Sequence, residues 1–181
     1  MRRIDTELEG VFMIEPDVFE DARGFFTETY NREKFAMLGV DTEFVQDNHS
    51  YSAAAGTIRG LHYQLEPAAQ TKLVRVVHGA IYDVVVDIRR QSPTFGRWVG
   101  VILSADNHRQ LYVPKGFAHG FCTLVPHTHV MYKVDAHYSP EHDRGIRWDD
   151  PELGIPWPTT KAVLSQKDAQ HPLLRDAEIN F

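Results

Sequence analysis

Hydrophobic and polar residues alternate in short runs along most of the chain, which is the period of a β-strand. Glycine, proline, asparagine and aspartate separate the runs, and these residues favour turns. The pattern predicts strands over Thr42–Val45, Thr57–Gln64, Leu73–His78, Ile81–Ile88, Trp98–Leu103, Gln110–Val113, Gly120–Leu124 and His129–Val134. Many short strands at close spacing are typical of an all-β protein, an antiparallel sandwich or barrel.

Elements outside these strands are few. Asp21–Gly24 has the composition of a hairpin turn between two pairs of apolar residues. Arg32–Leu38 predicts a short helix, because an asparagine that can cap it precedes it and a glycine follows it. Ser139–Pro158 is rich in turn residues, and Lys167–Leu174 predicts a second short helix.

Length and composition narrow the class of protein. A chain of 181 residues is expected to form one domain, residues 1–181, with a substantial core. No apolar run has the length of a membrane span, and no signal peptide is expected. Cys122 is the only cysteine, so a reducing cytoplasm is the simplest setting. A net charge of −6 argues against a broad nucleic-acid surface but allows a local basic pocket.

Chemistry concentrates in the stretch from Gly56 to Gly79. It carries Arg59, His62 and Lys72 on or beside segments that the pattern predicts to enter the core. Charged groups on core strands are held in fixed positions, as a binding or catalytic site requires.

Two motifs resemble those of the cupins. In the first, Gly56 is followed by His62, Gln64, Lys72 and Gly79; the second is the Pro-x-Gly-x-x-His sequence that ends at His119. Metal-binding cupins have a second histidine where Gln64 stands and a glutamate near the position of Lys72. Two histidines beside an ammonium make a weak metal site. The resemblance therefore implies a cupin-type jelly roll with a few short helices and without a metal.

A closer resemblance covers nearly the whole chain, and it is to the dTDP-4-dehydrorhamnose 3,5-epimerase family. The matching segments are Asp21–Phe26, Val45–Ser50, Arg59–Gln64, Lys72–Val76, Val113–Phe121 and Gly145–Trp148. This family converts dTDP-4-dehydro-6-deoxy-D-glucose to dTDP-4-dehydro-L-rhamnose in dTDP-L-rhamnose synthesis. The resemblance implies an isomerase without a cofactor. It also implies a homodimer whose partners exchange N-terminal strands.

Inversion of carbons next to a ketone needs a base on one face, an acid on the other and a positive group at the ketone oxygen. His62 suits the base at neutral pH, Lys72 the cation and Tyr132 the acid, with Tyr138 as the alternative acid. The resemblance assigns the same roles and adds Asp168 as the carboxylate that orients His62. The C-terminal segment must then fold back over the site.

The resemblance also implies a set of residues that bind the nucleotide, the diphosphate and the sugar. They are Arg23, Glu28, Gln46, Asp47, Asn48, Arg59, Lys72, His119, Tyr138, Asp143 and Lys167. Asp143 stands where the family usually has a glutamate, so a water can intervene between it and the substrate. Arg23 and Glu28 act either in their own subunit's site or in that of the neighbouring subunit.

Simpler structural roles remain open for several residues. His62 can be a core histidine bonded to backbone, and Lys72 can extend from a strand end to water. His127 and His129 alternate as metal ligands do, but two ligands are too few, and exposed loop histidines are expected. Asp83 lies among valines and needs a partner, for which Lys72 or an arginine on the preceding strand, Arg75, is expected.

Three other functions also remain open. A relative that inverts only C3 or only C5 of a dTDP-4-keto sugar would share most of these residues. A metal-dependent cupin and a non-catalytic binder of sugar nucleotides are the alternatives of other classes.

Overall fold

The computed structural model describes residues 1–181 and contains thirteen strands, two short α-helices and one 3₁₀ turn, which confirms the all-β prediction. The strands are β1 (Arg2–Asp5), β2 (Phe12–Glu15), β3 (Val18–Asp21), β4 (Gly24–Thr27), β5 (Gln46–Ser52), β6 (Ile58–Gln64), β7 (Lys72–His78), β8 (Ala80–Asp87), β9 (Trp98–Ser104), β10 (Gln110–Val113), β11 (Phe117–Thr123), β12 (Thr128–Val134) and β13 (Asp143–Gly145). The helices are α1 (Arg32–Met37) and α2 (Gln166–Ala169), and the 3₁₀ turn is Leu174–Asp176. None of the helices has the length and apolar composition needed to span a membrane.

Two antiparallel sheets face each other in a jelly-roll sandwich. The six-stranded sheet has the order β1-β2-β10-β7-β12-β5, and the five-stranded sheet has the order β13-β6-β11-β8-β9. The hairpin β3–β4 forms a separate two-stranded sheet. Consecutive strands β7 and β8 lie in opposite sheets, so residues close in sequence across Gly79 are not cross-strand neighbours.

Apolar side chains fill the space between the sheets. Val74 and Val76 of β7 meet Val85 of β8 and Phe121 of β11 in one buried cluster. The outer face of the five-stranded sheet packs against the chain that follows β13, through residues such as Leu174. Helix α1 covers part of the outer face of the six-stranded sheet with Phe35. Each sheet thus buries both faces over part of its area.

Three predicted elements differ from the structure. Residues 42–45 are not a strand; the strand begins at Gln46, since β5 pairs with β12 only from Gln46 to Ser52. The turn-rich stretch contains a short strand, β13, which pairs with β6. The predicted helix Lys167–Leu174 is only one turn, α2, followed by extended chain and the 3₁₀ turn, because Pro172 has no amide hydrogen to continue a helix.

Close contact between β6 and β11 depends on two glycines. Gly60 has φ +132°, and a Cβ there would lie 2.5 Å from the Cα of Gly120 and 2.9 Å from the carbonyl oxygen of His119. The register of the two strands shifts between His119 and Phe121, at this same point. The glycines therefore let the backbones approach where the sheet carries His62 and His119 side by side.

Replacing Gly60 by alanine tests this contact. Gly24 is a matched control, because it has φ +130° but nothing within 4 Å of its Cβ position. Gly24→Ala should cost about 1 kcal/mol of unfolding free energy from backbone strain alone. Gly60→Ala should cost at least about 2 kcal/mol more, because atoms overlap. Urea unfolding of both variants measures this, and equal losses would mean that the approach of β6 to β11 is not tight.

Candidate active site

A cavity of about 250 Å³ opens between the two sheets where the apolar core ends. Polar side chains from both sheets and from the C-terminal segment line it. The lining residues are Ser50, Arg59, His62, Lys72, His119, Phe121, Tyr132, Ser165, Lys167 and Asp168.

Strand alternation explains why these side chains meet. On β7, Lys72 points to the same face as the core residue Val74, and on β12 Tyr132 points to the same face as Val130. His62 projects from β6 of the opposite sheet and lies beside His119 of β11 in the register of that sheet. His62 thus faces Lys72 and Tyr132 across the sandwich.

Asp168 reaches His62 from the C-terminal segment. The Nε2–H of His62 donates to Oδ1 of Asp168 at 2.5 Å, although the two residues are 106 positions apart. Ser165 caps α2 by accepting the amide hydrogen of Asp168, which holds the carboxylate in place. Burial favours a higher pKa for Asp168, but its interactions with His62, above all the hydrogen bond, outweigh burial and hold the pKa below its usual value.

Lys72 is a buried cation at the floor of the cavity. Lys72 is only 8% exposed, and its Nζ donates to the carbonyl oxygen of His62 at 3.3 Å. Burial lowers the pKa of Lys72 to about 8, against the opposing charges of Asp83 and Asp143. The ammonium is therefore charged at neutral pH but readily loses its proton.

Tyr132 is the phenol that lies opposite His62. Burial raises the pKa of Tyr132, so the hydroxyl keeps its proton through the neutral range. The alternative acid, Tyr138, is exposed at the rim, where its hydroxyl donates to Asp143 at 3.0 Å. The cavity itself contains Tyr132 and not Tyr138.

The expected partner of Asp83 was wrong. Asp83 accepts a hydrogen bond from Nε2 of His119 at 2.6 Å, and neither Lys72 nor Arg75 bonds to it. The reason is topological, because β7 and β8 lie in different sheets while β8 pairs with β11. Asp83 is fully buried, so it fixes one nitrogen of His119 and leaves the other for the cavity.

The residues at the cupin ligand positions do not fit a divalent metal. The side-chain amide of Gln64 donates to the carbonyl oxygen of Ala68 and accepts from the backbone amide of Ser139. Both of its polar atoms are therefore used to hold neighbouring loops. His119 is held by a carboxylate, and the ammonium of Lys72 stands among these groups. A cation in their midst would face Lys72 without any carboxylate ligand.

Four other predicted binding residues do not line the cavity but form its rim, a series of hydrogen bonds that leads to Lys167 in the cavity wall: Gln46, Asn48, Tyr138 and Asp143. The side-chain amide of Gln46 donates to Asn48, and its oxygen accepts the amide hydrogen of Tyr138. Lys167, which lines the cavity, forms an ion pair with Asp143. The hydrogen bond to Asp143 raises the pKa of Lys167 and keeps its amine charged.

Three predicted binding residues lie outside the cavity of their own chain. Asp47 points to the opposite face of β5, because neighbouring residues of a strand alternate, and it pairs there with Lys133. Arg23, at the tip of the β3–β4 hairpin, binds Asp21. The carboxylate of Glu28 binds Asn31 and Lys34.

Sequence reasoning missed several residues of the site. Ser50 and Phe121 follow from strand alternation beside recognised neighbours, so their positions could have been found. Ser165 stands three residues before Asp168, which is the spacing of a helix cap. Nothing local indicates that His171 lies against His62, with ring centroids 5.5 Å apart, since that contact depends on the path of the C-terminal segment.

Together, the fold and the cavity define a jelly-roll enzyme of the cupin type whose site is built for acid–base chemistry. Residues 5–176 match the family model described as dTDP-4-dehydrorhamnose 3,5-epimerase. A protein of that name from Shigella flexneri is 52% identical over 179 residues, which cover 98% of each chain. The chain belongs to the dTDP-4-dehydrorhamnose 3,5-epimerase family, and it is an epimerase.

Solved structures agree with this assignment. The epimerase from Bacillus anthracis, crystallised with TDP and PPi, is 63% identical with a TM-score of 0.94, over 95% of this chain and 98% of that chain. An epimerase from Legionella pneumophila in complex with dTDP-4-keto-L-rhamnose is 46% identical with a TM-score of 0.92, over 96% and 93% of the two chains.

Buried Lys72 predicts an alkaline limit to activity. The ammonium is present below its pKa of about 8 and is lost above it, so kcat/KM should fall as the pH rises through that value. Tyr132 has a raised pKa and stays protonated there. In Lys72→Arg the guanidinium keeps its charge, and the fall should move to higher pH even if the rate is lower. If kcat/KM of the wild type and of Lys72→Arg falls at the same pH, the alkaline limit belongs to another group.

Proposed function

We propose that this chain inverts C3 and C5 of dTDP-4-dehydro-6-deoxy-D-glucose and releases dTDP-4-dehydro-L-rhamnose. The observation that carries the proposal is the position of His62 and Tyr132 on facing sheets of one cavity that also contains Lys72. Family membership supports the same reaction. We propose that residues 1–181 act as one epimerase domain.

In the proposed mechanism, His62 removes the proton from a carbon next to the C4 ketone. Its Nε2–H already donates to Asp168, so Nδ1 is the nitrogen left to accept this proton. Asp168 then stabilises the imidazolium that forms. Because the carboxylate is 6% exposed, water screens this interaction little.

The electron pair released at carbon moves to the ketone oxygen, and Lys72 stabilises the resulting enolate. Its charge acts at short range in a site with little water, where such stabilisation is largest. Tyr132 then gives its proton to the same carbon from the opposite face, which inverts the centre. The cycle repeats at the second carbon, after His62 has lost its proton and Tyr132 has regained one.

Arg59, His119 and Lys167 are proposed to bind the diphosphate and sugar. The Arg59 guanidinium donates to Ser52 and to the backbone of Tyr51, which hold it in the cavity wall. Arginine and lysine in one wall complement the negative diphosphate. Gln46, Asn48, Tyr138 and Asp143 would contact the substrate from the rim, and Asp47 only through its backbone.

We propose that Arg23 and Glu28 reach into the cavity of the partner subunit. Three phenylalanines of the hairpin that carries Arg23 are strongly exposed: Phe19 is 64%, Phe25 60% and Phe26 68% exposed. Apolar residues so placed fit an interface between chains. We infer a homodimer in which each hairpin closes the other's cavity, and we infer a cytoplasmic setting from the nucleotide-sugar substrate.

Turnover in deuterated water tests the proposed reaction. Product formed by the wild-type chain should carry deuterium at both C3 and C5, because each carbon loses its proton to His62 and gains one from the other face. NMR of the product measures this. Deuterium at only one carbon would make the chain a single-carbon epimerase, and its absence from both would exclude the mechanism.

Two variants separate the roles of the base and the acid. His62→Asn should bind dTDP as the wild type does and lose exchange at both carbons by about 10²-fold or more. Tyr132→Phe should still exchange the substrate proton but invert the carbon far more slowly. If His62→Asn exchanges protons at the wild-type rate, His62 is not the base.

A further inference from the structure

His171 occupies a place that the sheet leaves empty beside His62. In the register of the five-stranded sheet, His62 of β6 stands between His119 of β11 and Gly145 of β13. Gly145 has no side chain, and any Cβ there would overlap with the ring of His171. The imidazole of His171 thus fills the space next to His62, on the side away from His119.

The ring of His171 has no hydrogen-bond partner. Both of its nitrogens are buried without a donor or acceptor, and the side chain is only 9% exposed. Leaving a buried polar atom unpaired destabilises the folded protein, so such groups call for an explanation. Packing against Gly145 alone would be served as well by an apolar ring.

Asp168 lies between the two histidines. Its Oδ1 accepts from Nε2 of His62 at 2.5 Å and is 3.9 Å from Nδ1 of His171. One ligand atom from each of the three residues lies within 4.8 Å of the other two. A zinc ion bonds nitrogen and carboxylate oxygen at about 2 Å in a tetrahedron, so its ligand atoms lie roughly 3.3 Å apart. The distances from Asp168 to the two histidines, 2.5 and 3.9 Å, each need to change by under about 1 Å to reach this value, and the distance between the two histidine nitrogens by at most about 1.5 Å.

We propose that His62, Asp168 and His171 form a binding site for a divalent transition metal of the zinc type, and that occupancy switches the epimerase off. Two imidazoles, one carboxylate and an open fourth position are a ligand set for such ions. The ion takes Nε2 of His62 and the oxygen of Asp168 that orients it. The hydrogen bond between them is lost, and His62 can no longer act with its carboxylate.

The site differs from the cupin ligand positions in having a carboxylate and in lying on the far side of His62. On this side, the charged amine of Lys167 is paired with the carboxylate of Asp143. Lys72 donates to the backbone carbonyl oxygen of His62 and not to its ring.

Metal binding needs Nε2 of His62 free of hydrogen, so the neutral ring must carry its hydrogen on Nδ1 instead. Nδ1 is then no longer able to accept a proton from the substrate. The metal therefore competes with the hydrogen-bonded form of His62 and Asp168. Inhibition rests on the proposed role of His62, whereas binding of the ion does not.

Binding of Co²⁺ to the purified protein tests the site directly, because tetrahedral cobalt absorbs visible light. One equivalent should bind and Zn²⁺ should displace it. His171→Phe keeps a ring against Gly145 but removes both nitrogens, and it should weaken binding at least ~10-fold, since even outer partners of metal ligands contribute that much. If His171→Phe unfolds, His171→Ala is the second variant.

The exposed pair His49–His129 provides the control, since its rings are hydrogen-bonded at 2.9 Å on the surface. His129→Asn should leave Co²⁺ binding unchanged. Zn²⁺ should abolish turnover of the wild type and of His129→Asn, and His171→Phe should stay active at the same concentration. Binding that survives His171→Phe, or is lost in His129→Asn, overturns the proposal. Binding as expected without inhibition would instead count against the proposed role of His62.

Discussion

The hydrogen bond between His62 and Asp168 is the interaction on which the site depends. It joins a strand of the five-stranded sheet to a one-turn helix 106 residues later. The bond occupies Nε2 of the imidazole and leaves Nδ1 as the nitrogen that can accept a proton in the proposed mechanism. The carboxylate stays ionised because its interactions with His62 outweigh the effect of burial on its pKa. Without this bond, His62 would be an imidazole of undefined tautomer at the edge of a cavity.

The C-terminal segment is placed by contacts outside the cavity. It covers the outer face of the five-stranded sheet with apolar residues, and the amide of Arg147 donates to the carbonyl oxygen of Pro172. Lys167 and His171 add an ion pair and ring packing on either side of Asp168. The same packing that buries the sheet therefore positions the carboxylate. Lys72 shows the opposite balance, because burial disfavours its charged form and lowers its pKa. This ammonium is the group that we propose meets the ketone oxygen.

Most of the strands could be predicted, because alternation of apolar and polar residues is a local property. The strand predicted at residues 42–45 was wrong, because its composition suits a strand but its pairing partner β12 ends opposite Gln46. The His62–Asp168 contact came from family resemblance, as no local pattern links residues so distant. The partner of Asp83 was missed because the pattern does not tell which sheet each strand joins. The position of His171 beside His62 could not be predicted either, because its neighbour Gly145 belongs to a strand too short to recognise from the pattern.

The tautomer of His62 tests the central claim most directly. Nitrogen-15 NMR of the resting enzyme with labelled histidine distinguishes a protonated Nε2 from a protonated Nδ1. The account predicts that His62 carries its proton on Nε2 at neutral pH, bonded to Asp168, and that Asp168→Asn abolishes this preference. A proton on Nδ1 in the wild-type enzyme, or an unchanged spectrum in Asp168→Asn, would contradict it.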